Sequence, residues 1–247
     1  MMKLPKECIS PSIAWKAKIG LILPPTAYNC LGEFNALIPK GVATLSTCIP
    51  LKKVTPEFLE KMEDYAEKAA VILQGGSPDL LVFGCTSGSL VKGPGSDEEL
   101  VKRLESRVGI RTVVTSTAVV EAMQALGMKN VVIVTPYIDE LDELEKKFIE
   151  AYGIKVSNIR GLGISETSEI VSVNPLIWYR FIKESITPEC DGVFISCTGI
   201  NTLDIIDAIE ADINIPVITS NQATVWAALK RLGIKKTLPG YGKLWSY

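Results

Sequence analysis

The sequence predicts an α/β protein of two similar Rossmann-like halves with parallel sheets, related by pseudo-twofold symmetry, with the active site in the cleft between them. Three observations carry this expectation. Short β-branched or leucine-rich runs alternate with amphipathic stretches, the pattern of parallel strands covered on both faces by helices. The order of these runs occurs twice: "AKIGLILPP", "DLLVFGCTSG" and "IRTVVTSTAVVEAMQALGM" are matched by "KNVVIVTPY", "DGVFISCTGI" and "IPVITSNQATVWAALKRLGI". The register between the copies is regular. Pro24 and Pro136 stand 112 residues apart, as do Cys85 and Cys197, while Ser116 and Ser220 slip to 104 through one shorter connection.

In chain order, "KIGLILPP" (18–25) reads as a buried strand ended by its prolines. "TPEFLEKMEDYAEKAAVILQGG" (55–76) reads as one helix, with Thr55 as N-cap, Pro56 at the first helical position and Gly75-Gly76 as the stop. "PDLLVFGCTSGS" is the next strand, "DEELVKRLESRVG" a helix and "IRTVVTS" a strand. Gly93-Pro94-Gly95, soon after Cys85, reads as a loop and a candidate lid. "DELDELEKKFIE" (139–150), acidic at its start and basic later, suits the dipole and solvated face of a helix better than a metal site. The expected division is residues 1–115 for a first half carrying Cys85, 116–220 for a second carrying Cys197, and 221–247 for a returning helix and tail packed on the first half.

Composition narrows the function. With 247 residues, 47% hydrophobic, 22% charged and a net charge of −2, the chain has the core of an ordinary globular protein and no basic footprint for nucleic acid or a membrane surface. No apolar run reaches the roughly 18 to 20 residues of a membrane span, and Met1–Ser12 lacks the order of a signal peptide, so a cytoplasmic protein is expected. The six cysteines (8, 30, 48, 85, 190, 197) lack CxxC spacing and read as thiols rather than as a disulfide framework or zinc site. Cys8, Cys30, Cys48 and Cys190 read as inert core residues. The chain has no histidine, which excludes Ser-His-Asp and Cys-His pairs and every His-ligated metal centre. Proton transfer near neutral pH is left to Cys, Asp, Glu, Lys or Tyr.

In open parallel sheets ligands bind beyond the carboxyl ends of the strands, so Cys85 and Cys197 fall where a site forms and converge on the cleft if the halves face each other. The turns "GCTSG" and "SCTGI" leave backbone N–H groups free to hold a carboxylate or an enediolate. Thr86, Ser87 and Thr198 add hydroxyls, Gly199 a backbone donor and Tyr137 a phenol. Two opposed thiols can move a proton across a carbon beside a carboxylate, which is racemisation. They can also add to a conjugated double bond, allow rotation and eliminate, which is cis–trans isomerisation. One thiol alone can protonate the enediolate left by decarboxylation. All three routes run without a cofactor.

The paired "GCTS" and "SCTG" cysteines, "KKVTPEFLEKM", "VTPYIDELDELEKKF", "SNQA" and "PGYGKLW" resemble the aspartate/glutamate racemase superfamily, in the branch of maleate cis–trans isomerases and arylmalonate decarboxylases. The likeness runs from about Lys18 to Trp245. It implies a nucleophile at Cys85, the position a decarboxylase fills with glycine, and a proton donor at Cys197. It also implies a substrate cradle of Thr86, Ser87, Tyr137, Thr198 and Gly199, a small carboxylate or dicarboxylate substrate, no cofactor, and a homodimer or higher homo-oligomer. Two cysteines favour the isomerase or racemase reading over the decarboxylase. A carboxylate-binding protein without turnover is the reading from outside enzymes. The chain departs from the isomerases at Ala27, where they carry an asparagine that Asn29 could replace, at "STCIPLKK", where they carry arginines, and at Thr167, another asparagine position. "LPP" after the first strand is closer to the decarboxylase. These departures favour a less symmetric, partly apolar carboxylate over maleate.

Overall fold

The computed structural model describes residues 13–246. Cys8 and the stretch Met1–Ser12 lie outside the described residues. The first half runs β1 (Ala17–Leu23), α1 (Tyr28–Leu37), β2 (Val42–Cys48), α2 (Pro56–Leu59), α3 (Met62–Gln74), β3 (Leu80–Phe83), α4 (Thr86–Leu90), α5 (Ser96–Val108), β4 (Thr112–Val114) and α6 (Thr115–Ala125). The second runs β5 (Asn130–Thr135), α7 (Asp139–Ala151), β6 (Lys155–Gly161), α8 (Thr167–Ile170), α9 (Pro175–Ser185), β7 (Gly192–Ile195), α10 (Ile206–Ile213), β8 (Val217–Thr219) and α11 (Ser220–Arg231).

Each half holds a four-stranded parallel sheet, ordered β2-β1-β3-β4 in one and β6-β5-β7-β8 in the other. The repeat extends to the register. Ile19 faces Leu80 and Val131 faces Gly192, each residue displaced by the same 112 positions. Asp79 Oδ2 accepts from the Lys18 amide (2.8 Å) and Asp191 Oδ1 from the Asn130 amide (2.9 Å), so the same carboxylate pins the same strand start in both halves. The central strands are apolar throughout because both faces are covered: Ile19, Leu21 and Ile22 in β1 and Val131 to Val134 in β5 are fully buried. Burying one such side chain contributes about 1.5–3 kcal/mol. Helix α11 packs against α6 and α1, with Thr219 capping it through the Gln222 amide and Thr224 Oγ1 bonded to Thr115 Oγ1 at 3.2 Å.

Several local expectations are corrected. The helix expected over 55–76 is two helices, interrupted at Glu60-Lys61 between the fully buried Leu59 and Met62. Thr115 and Ser116 belong to α6 and not to a strand, and Cys85 stands past β3 as the N-cap of α4. Cys30 is a core residue, but Cys48 is exposed at the end of the edge strand β2 and Cys190 is half-buried in the turn before β7. Helix α7 does not have a wholly solvated charged face: Asp142 and Glu145 are buried. Gly93-Pro94-Gly95 is a tight turn, with both glycines at positive φ and Ser96 Oγ on the Gly93 carbonyl (2.7 Å), and it does not line the cleft described below. Among the described residues no helix is long and apolar enough to cross a membrane.

Candidate active site

Cys85 follows β3 after Gly84, where a Cβ would lie 2.4 Å from the Leu23 Cδ2 methyl and would have to displace that side chain. The thiol lies 4.0 Å from Met62 Sδ and 3.9 Å from Ser87 Oγ. It closes no capping bond, yet the Gly88 amide is turned toward it and favours its ionised form. Ser89 Oγ, bonded to the Cys85 and Thr86 carbonyls at 2.9 Å, ties this turn together from beneath.

Cys197 is built differently. Its φ is +114°, a left-handed conformation that costs a non-glycine residue about 1–3 kcal/mol and persists only where the surroundings enforce it. The enforcement comes from both halves. The Cys197 amide donates to Ser220 Oγ (3.0 Å), which also receives Thr86 Oγ1 (2.8 Å). Thr198 Oγ1 donates to the Gly84 carbonyl (3.1 Å), and Asn221 Nδ2 donates to the Thr198 carbonyl (3.2 Å). The Gly199 amide folds back on Cys197 Sγ at 3.3 Å, and the Tyr137 phenol pairs with the same sulfur.

One cleft of about 360 Å³, its open mouth included, is lined by Cys85, Thr86, Ser87, Tyr137, Cys197, Thr198 and Gly199 together. All seven site residues expected from sequence are therefore brought to one place, the two thiols from opposite halves. The roof is a pair of straps, one after β2 and one after β6. Lys53 and Glu166 form an isolated antiparallel bridge closed by an ion pair of 2.8 Å, and the Val54 amide donates to the Ser165 carbonyl (2.8 Å). From these straps Leu51, Val54, Ile170 and Val171 give the cleft an apolar wall. Among the described residues lining it there is no lysine or arginine. Asn29 does not substitute for Ala27, because its amide is committed to the Val171 and Gly199 carbonyls (3.2 and 2.8 Å) and Ala27 alone faces the cleft. Thr167 does line it, with its hydroxyl on the Lys52 carbonyl at 3.3 Å.

Burial dominates the electrostatics. It pushes Cys85 up to about 11, against the opposing pull of Gly88 and Ser87, and Cys197 up to about 12, against Gly199 and Tyr137. Both sulfurs thus rest as thiols at neutral pH. A thiolate is the alkylated species, so the rate at which iodoacetamide labels Cys85 is expected to rise about tenfold per pH unit between 7 and 9. Peptide-level mass spectrometry reads this directly, and a plateau near pH 7 to 8 would show an activated resting thiolate instead.

Sequence reasoning missed the apolar wall, Ser220 and the buried carboxylates. Ser220 stood inside the quoted "SNQA" segment without a role. Glu145 falls on the inward stripe set by Leu141, Phe148 and Ile149, a helical-period signal that the acidic composition of the segment masked.

Two facing parallel sheets with a thiol beyond the third strand of each define an enzyme of the aspartate/glutamate racemase-like superfamily. A cysteine-to-alanine variant of maleate isomerase from Pseudomonas putida S16, solved with maleate, superposes with a TM-score of 0.89 at 26% identity, covering 93% of this chain and 97% of that one. The chain belongs to the arylmalonate decarboxylase family, whose model matches residues 19–245. It is similar to the arylmalonate decarboxylase of Bordetella bronchiseptica, 29% identical over 230 residues that span 92% of this chain and 95% of that protein. It is likewise similar to the maleate isomerase of Geobacillus stearothermophilus, 27% identical over 243 residues, 93% of this chain and 97% of that protein.

Proposed function

We propose that the protein is a two-cysteine isomerase or racemase that acts, without a cofactor, on a small carboxylate bearing an apolar substituent. The observation that carries this reading is the meeting of Cys85 and Cys197 in one cleft from opposite halves. In the racemase form, the Cys85 thiolate takes the proton beside the carboxylate and the electron pair moves into an enediolate. Thr86, Ser87 and the amides around Gly199 hold that charge, and Cys197 delivers its proton to the opposite face, leaving a thiolate there. In the cis–trans form, the Cys85 thiolate adds to the double bond and Cys197 gives its proton to the adjacent carbon. The new single bond rotates, and Cys197 takes the proton back as the electron pair re-forms the double bond and expels the Cys85 thiolate. Cys85 takes the role of base or nucleophile in its ionised form, a minor fraction at neutral pH, which the Gly88 amide and the Ser87 hydroxyl turned toward the sulfur favour.

The apolar wall favours a second reading, decarboxylation of a substituted malonate with Cys197 as proton donor. A carboxylate turned toward Leu51, Val54 and Ile170 meets no counter-charge, and an apolar surrounding favours its loss as neutral carbon dioxide. The same wall argues against maleate, whose second carboxylate would sit there unpaired.

Proton NMR in D2O with maleate, aspartate and glutamate enantiomers, alkyl and aryl malonates and arylpropionates tests these readings. Deuterium incorporation with loss of optical purity is the expected result for a monocarboxylate with an apolar group. Fumarate from maleate would select the cis–trans form, and carbon dioxide from a malonate would select decarboxylation. Protection of both thiols from alkylation by a compound that is never turned over would favour a binding protein.

A further inference from the structure

Glu33 on α1 and Glu145 on α7 are also 112 residues apart, the spacing of the two cysteines, and both are buried. Their surroundings differ. Glu33 is fully engaged: Oε1 accepts from the Thr202 and Leu203 amides (2.9 and 3.1 Å) and Oε2 from Asn221 Nδ2 (2.7 Å). Glu145 is wholly buried and accepts only Ser196 Oγ on Oε1 (2.7 Å), while Oε2 has no partner. Ser196 immediately precedes Cys197. When ionised, Glu145 would disfavour ionisation of both Cys197 and Tyr137, an influence secondary to burial, whereas Cys85 responds to burial, Gly88 and Ser87.

We infer that Glu145 is a positioning residue which, once ionised behind Cys197, opposes ionisation of that sulfur and so makes the two thiols of the cleft chemically unequal on the alkaline side. The duplication alone would leave them alike. The phenol adds to the inequality, since the residue 112 positions before Tyr137 is Pro25, which has no proton to offer. The titratable neighbours of Glu145 are Asp142 on its own helix, Tyr137 and Cys197. Of the elements packed on α7, α4 brings no titratable side chain, and β6 brings Lys155 at an exposed end and Arg160, which is turned onto the Phe181 ring. Asp142 is held by Thr135 Oγ1 at 2.5 Å, so it is the less free of the two buried acids on α7.

Burial pushes Glu145 up to about 8, so it is neutral below that pH and charged above it. A negative charge opposes formation of a second negative charge on Cys197, and the effect therefore appears only on the alkaline side. The catalytic meaning of this assignment rests on the two-thiol reading, but its test needs no substrate. Alkylation of Cys85 and Cys197 by iodoacetamide is followed separately by mass spectrometry from pH 7 to 10 in the wild type and in Glu145→Gln, which retains an acceptor for Ser196. Above pH 9 Cys197 is expected to react about three- to tenfold faster in the variant, with equal rates at pH 7 and no change at Cys85. In the wild type alone, the Cys197 rate should climb less steeply than tenfold per pH unit across pH 8 while the Cys85 rate does not bend. A pH-independent ratio between the two proteins, an equal change at both thiols, or two unbent wild-type profiles would overturn the assignment, whether or not any carboxylate is turned over.

Discussion

Replacement of Cys197 by alanine is expected to lower kcat by about 10²–10⁴-fold, the usual contribution of a positioned proton donor, with little change in KM. Its sulfur is the acid of every route open to this cleft, so the loss should appear whichever carboxylate proves to be the substrate. Cys85→Ala divides the routes. In the two-thiol scheme it costs as much as Cys197→Ala, because a base or nucleophile has gone from one face and, among the described residues, no other titratable side chain lines the cleft on that face. In the decarboxylase scheme it leaves turnover largely intact. Steady-state kinetics on both variants, with circular dichroism to verify folding, would reject the two-thiol scheme if Cys85→Ala kept more than about a tenth of wild-type kcat.

Glu33→Ala is expected to be the most destabilising single change around the site. It strands the Thr202 and Leu203 amides and one of the two Asn221 Nδ2 hydrogens in a buried place, and removing one partner of such a network costs about 3–5 kcal/mol. For a chain of this size that is a fall in Tm of roughly 10 °C. Glu33→Gln keeps the acceptor for the two amides and should lose about half as much. The network joins α1 of the first half to the segment after β7 and, through Asn221, to the Thr198 carbonyl. Differential scanning calorimetry reads the effect, and a Tm within 2 °C of wild type would mean that the contact is dispensable.

The parallel sheets, the repeat of their inner strands and the two cysteines were legible because each leaves a local trace: a run of strand-forming residues, a repeated register, a turn of fixed composition. The departures arose where tertiary contacts decide. One helix became two between Leu59 and Met62, an interruption that Thr55, Pro56 and the terminal glycines do not announce. The left-handed backbone of Cys197 has no sequence signature at all, since "SCTG" and "GCTS" look interchangeable and differ only in what Ser220, Asn221 and Gly84 do to them. Glu145 was misread because composition was weighed above period. The apolar wall comes from straps without a regular pattern, whose residues meet only when the halves do.

The 112-residue repeat has a further consequence. A homodimer of identical half-length chains is bound by its axis to present the same groups on both sides of a shared cleft, and its two thiols must be of equal acidity. Covalent fusion removes that obligation. Once both copies lie on one chain, a phenol can stand on one side and a proline on the other, and one buried acid can be saturated while its twin is left hungry for a proton. Fusion thus gives an inherited symmetry a front and a back, a polarity that a molecule needs when one sulfur is to give up a proton and the other to take one.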